Sequence, residues 1–199
     1  SSLYILQNEL EFEKEYLNMV KWNKEIEFAR TKKELLALKE ILCNPIFKND
    51  KNASSSKAKI YYHYIKGLYH FFIGNFTDSN LHFTNQLRIF DNNPQNKETN
   101  PMQYIRCIGN LCLINTKLGN QKAHHTNFNK LNKTSYYSNT INEYKTYLIK
   151  MLSLMNLVHN KEHKEATVII ENTESIHKKA SDLWHMEWLY FTFDSVATY

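Results

Sequence analysis

Helix-breaking residues are scarce: the chain of 199 residues holds 4 Gly and 3 Pro, where average usage would supply roughly three times as many. A chain of this kind makes few tight turns and long regular elements. Those elements read as helices. Apolar residues recur at intervals of three and four, as in Phe83, Leu87 and Phe90, or Ile141, Tyr144, Leu148, Leu152 and Met155, which lines one face of a 3.6-residue period. No stretch alternates apolar and polar residues between turn signals for long enough to argue a sheet, so the expected class is all-α. The four glycines (Gly67, Gly74, Gly109 and Gly119) also exclude several catalytic frameworks, because their spacings make no Walker A loop, dinucleotide fingerprint or Gly-x-Ser-x-Gly elbow.

Three polar stretches with breakers divide the chain: Asn44 to Lys57, Asp91 to Pro101, and Lys133 to Thr140. Between and within them the periodicity predicts helices near 3–29, 32–43, 57–73, 77–91, 101–118, 121–132, 140–159, 162–179 and 182–197, about nine in all. Thr31 with Glu34 carries a capping-box signature for the second, and Thr77 with Asp78 caps the fourth. Short links alternate with longer ones, which is the pattern of a repeated two-helix unit.

The clearest unit runs from Ile60 to Asp91. Gly67 lies inside its first helix, Gly74-Asn75-Phe76 makes the turn, and Ser79 and Phe83 follow on the second helix. The stretch GLYHFFIGNFTDSNLHF resembles a tetratricopeptide repeat, in which small residues let two helices approach and an aromatic fills the wedge between them. A second unit spans Tyr104 to Leu131, with Cys112 as the small residue, Gly119-Asn120 at the turn and Phe128 in the wedge. A third, from Asn142 to Ile176, has Ser153 mid-helix, a turn near Asn160 and Ala166 beyond it. Turn-to-turn spacings of 45 and about 41 exceed the roughly 34 of the standard repeat, so the units are elongated and divergent. The resemblance implies a right-handed α-α superhelix of helical hairpins, a solenoid, with three hairpins over 58–180 and residues 1–50 as an N-terminal cap. The stretch 181–199, apolar on nearly every face from Leu183 to Val196, reads as the start of a further repeat. Self-association through the 182–197 helix is the expected consequence.

Charge and chemistry narrow the function. The net charge is +5, but the Lys residues are spread evenly and Arg30, Arg88 and Arg106 are the only arginines, so no nucleic-acid partner is expected. No run of about 18 apolar residues occurs, hence no membrane span. Cys43, Cys107 and Cys112 cannot form a paired framework; all three read as buried reduced thiols in a cytoplasmic protein. His159-Asn160-Lys161-Glu162-His163 matches a zinc-peptidase signature, but it straddles a predicted turn, so a solvated turn is expected and no metal. His124 and His125 diverge by about 100° on a helix, leaving one facing the core and one facing solvent. Glu9, Glu11, Glu13 and Glu15 read as solubilising charges. No catalytic residue and no cofactor is expected.

The resemblance places function on the concave face lined by the first helix of each hairpin. By helical phase that face carries Tyr61, Tyr64, Leu68 and Phe71, then Arg106, Asn110, Leu113 and Lys117, then Tyr147, Lys150 and Leu154. Tyr and Arg are enriched at binding hot spots, and a cation beside Asn suits a carboxylate. The function expected is a protein- or peptide-binding scaffold that works through this groove. An alternative is the sensor segment of a larger bacterial regulator that binds a signalling peptide, and a third is a metal-dependent hydrolase.

Overall fold

The computed structural model describes residues 2–25 and 32–172. The helix expected at 182–197, the end of the one expected at 162–179, and the Thr31 cap lie outside the described residues. Those that are described form nine α-helices and no strand. They are α1 (Ser2–Glu25), α2 (Lys32–Leu42), α3 (Ser56–Phe72), α4 (Phe76–Asn92), α5 (Pro94–Thr99), α6 (Pro101–Lys117), α7 (Gln121–Lys133), α8 (Asn139–His159) and α9 (His163–Glu171). Two 3-10 turns, Pro45–Lys48 and Asp50–Asn52, occupy the link before α3. The short α5 lies inside the stretch read as a loop. Pro94 sits in its first turn, and the Asn93 side chain caps it by accepting from the Gln95 amide, so a breaker in the sequence is here a helix start.

Consecutive helices pair and the pairs stack: α3 with α4, α6 with α7, α8 with α9, while α6 also packs on α4 and on α8. The three inter-helix turns share one geometry. The amides of Asn75, Asn120 and Glu162 donate to the carbonyls of His70, Asn115 and Leu157, five residues back. Those of Gly74, Gly119 and Lys161 donate to Phe71, Thr116 and Val158. This is a Schellman closure, and its left-handed residue is Gly74 (φ 79°), Gly119 (φ 70°) and Lys161 (φ 64°). The third turn is therefore centred one residue later than expected from Asn160, and Leu154 rather than Ser153 occupies the place held by Gly67 and Cys112.

The helices of the first two pairs meet where the small residues lie. The Ser79 hydroxyl donates to the Gly67 carbonyl at 2.7 Å, and a Cβ on Gly67 would stand 2.7 Å from the ring of the fully buried Phe83. At the corresponding positions of the next pair, His124 Nδ1 lies 3.1 Å from the Cys112 carbonyl. Gly109 gives the same close approach between pairs, since a Cβ there would meet Leu148 of α8 at 2.6 Å.

The described residues of the N-terminal stretch, 2–25 and 32–50, join this packing directly. Helix α1 lies on α3, where Phe12 contacts Phe47 and Tyr62 edge-on. The Asn8 side chain donates to the Asn52 carbonyl and accepts from the Ser54 amide and hydroxyl. Glu13 pairs with Lys57 at 3.0 Å, and Glu15 accepts from Asn44. These two acids therefore tie elements together instead of only solubilising a face.

Candidate functional site

The face expected to line a groove is partly filled from within. Tyr16 of α1 stacks on Tyr61 with ring centroids 4.9 Å apart and meets Tyr64 edge-on at 5.5 Å. Its hydroxyl accepts from Arg106 Nη1 at 2.8 Å. The guanidinium of Arg106 in turn lies over the Tyr144 ring, 5.5 Å from its centroid. One cluster thus joins α1, α3, α6 and α8. Burial first, then the negative charge of Glu13, pushes the Tyr61 phenol up to about 12, so it remains a hydrogen-bonding hydroxyl across the physiological range.

Tyr61, Tyr64, Leu68, Asn110 and Tyr147 are all buried. The expectation that they line an accessible groove is corrected by this burial, which Tyr16 of α1 supplies at Tyr61 and Tyr64. Phe71, Leu113 and Leu154 are buried as well. Arg106 is half-buried and Lys117 is exposed at the end of α6. Lys150 is half-buried and its ammonium donates to the Asn172 carbonyl beyond α9, a position favoured by the helix dipole. The structure therefore brings Tyr61, Tyr64 and Arg106 together around Tyr16, and places Lys117 and Lys150 apart from that cluster.

A second cluster carried no signal in the sequence. On the α3–α4 pair, the Nδ1 atoms of His63 and His82 are 3.1 Å apart, so one ring donates to the other, and His70 stacks on His82 with centroids at 5.5 Å. Burial depresses the His63 and His82 pKa values to about 4, the neighbouring imidazoles adding to the effect at His82. His70 Nδ1 lies 3.8 Å from Asp78 Oδ2. Positions 63, 70 and 82 share no short motif, which is why spacing did not reveal them.

The zinc-like signature resolves into a turn. His159 ends α8, Lys161 is left-handed, and His163 begins α9, so the two imidazoles are on different helices and the one-turn ligand spacing is not formed. Among the described residues no group of three or more His, Cys, Asp or Glu is arranged to hold a metal ion. His124 is buried and His125 exposed. Cys107 and Cys112 are buried free thiols, both with raised pKa values through burial. Cys43 is exposed just beyond α2, which corrects its expected burial. No helix of the described residues is long and apolar enough to cross a membrane.

No family model matches the chain, and no curated protein or solved structure matches it.

Proposed function

We propose that the chain is a protein-recognition scaffold: a right-handed stack of tetratricopeptide-like hairpins that receives a partner's segment along the face lined by α3, α6 and α8. It acts by binding and performs no chemistry of its own. The observation that carries this reading is the position of Arg106, whose guanidinium bridges the Tyr16 hydroxyl and the Tyr144 ring. Tyrosines and an arginine converge there from helices far apart in sequence, the composition of an interface hot spot. Three turns of one geometry support the repeat reading.

Because the apolar side chains of this face are buried on α3, α6 and α8 alike, the segment is held through the partly exposed Arg106 and Tyr144 on the α6–α8 side. Arg106 and Lys117 suit one that carries carboxylates beside an apolar side chain. Short peptides selected from a displayed random library on the immobilised chain test this. Lys117→Glu and Arg106→Ala should each weaken the selected peptides by about tenfold, the loss of one hot-spot contact. Unchanged affinity in both variants would refute the reading.

A further inference from the structure

Helix α1 is apolar on two opposite faces. One holds Phe12 and Met19, both fully buried against the body. The other carries Leu3, Leu6, Leu10 and Leu17, each between 54 and 64% exposed. Steps of three, four and seven place these leucines on the a and d positions of a heptad, with Leu3, Leu10 and Leu17 at a and Leu6 at d. The d position between Leu10 and Leu17 is Glu13, whose carboxylate is drawn towards α3 by Lys57 at 3.0 Å.

We propose that this leucine row is a self-association surface, on which α1 of a second copy of the chain packs in parallel as a short coiled coil. The flanking charges favour this occupant and this direction. Glu9 occupies a g position and Lys14 the following e position, and in a parallel pair each g side chain faces the e′ residue five positions on in the partner helix. Glu9 then meets Lys14 of the second copy, twice by symmetry. An antiparallel pair would set g against g′ and e against e′, so the Glu9–Lys14 contact would be lost. Since the buried face of α1 points away from the row, the two bodies lie on opposite sides of the paired helices. Four leucines per copy make a small interface, so association depends on concentration. The proposal is independent of the partner-binding face and stands or falls without it.

Sedimentation of the intact chain across a concentration series reads the mass directly. The expected result is reversible dimerisation that Leu10→Glu abolishes, with an unchanged melting temperature at concentrations where both chains are monomeric, because that side chain is exposed. In a Cys43→Ser background, oxidised Leu10→Cys should crosslink copy to copy, as an a–a′ pair in parallel register does, while mixed Leu3→Cys and Leu17→Cys chains should not crosslink to each other. A monomer at every concentration would overturn the proposal, whether another segment of this chain or nothing covers the row. A dimer indifferent to Leu10→Glu would place self-association on another surface and overturn it too. Crosslinking between positions 3 and 17 would overturn the parallel arrangement.

Discussion

Gly67 shows how much a single missing methyl group decides. The Phe83 ring occupies the volume that a Cβ would fill, and the Ser79 hydroxyl holds the backbone in place from the other helix. Gly67→Leu should cost about 1–3 kcal/mol by overpacking, measured as a fall in denaturation midpoint with an unchanged slope. Wild-type stability would mean that α3 and α4 do not meet there. The imidazole pair makes a second prediction at this scale. Folded His63 and His82 titrate near 4, against an ordinary value of 6.5. Between those values the unfolded chain binds protons that the folded chain refuses. Their contribution is therefore intact above pH 6.5 and is lost as pH falls towards 4. Since His82 is only partly buried, the combined loss is put at about 1–3 kcal/mol after allowance for solvent screening. His63→Gln should flatten stability against pH across this window, and a profile parallel to wild type would contradict the assignment.

The turns inside the three pairs share one hydrogen-bond geometry, and one of them carries a strained residue. A side chain at positive φ costs about 1 kcal/mol relative to glycine, and Lys161 bears that cost where Gly74 and Gly119 do not. Lys161→Gly should stabilise the chain by about 0.5–1 kcal/mol, and Gly74→Ala should destabilise it although nothing stands within 4 Å of the added methyl. Equal melting temperatures for Lys161→Gly and wild type would show that the third turn closes differently. The first two turns were legible because glycine announces a left-handed residue, but the cap of α4 comes earlier than expected: Asn75, not Thr77, caps it, its side chain accepting from the Asp78 amide. The third was displaced by one residue because lysine gives no such signal. Helix α5 was missed for a related reason: Pro94 looks the same in a list of breakers whether it ends a helix or opens one. The helices themselves were readable because amphipathic periodicity is local. Which side of α1 meets the body was not, since both of its faces are apolar.

At the scale of the whole molecule, the limit of sequence reading lies in contacts between distant segments. Phase along α3 and α6 grouped Tyr61, Tyr64 and Arg106, which converge on Tyr16, yet no pattern around Tyr61 or Tyr64 could show that Tyr16 lies on them, or that Arg106 reaches a hydroxyl 90 positions away. That contact fills the α3 part of the expected face from within. The central claim is that the remaining part, between α6 and α8, receives a partner's segment. Backbone amide shifts recorded while a library-selected peptide is titrated into the isotope-labelled chain test it most directly. The account predicts changes concentrated at Arg106, Lys117, Tyr144 and their neighbours on α6 and α8. Changes concentrated on α4 and α7, or on the leucine row of α1, would contradict it.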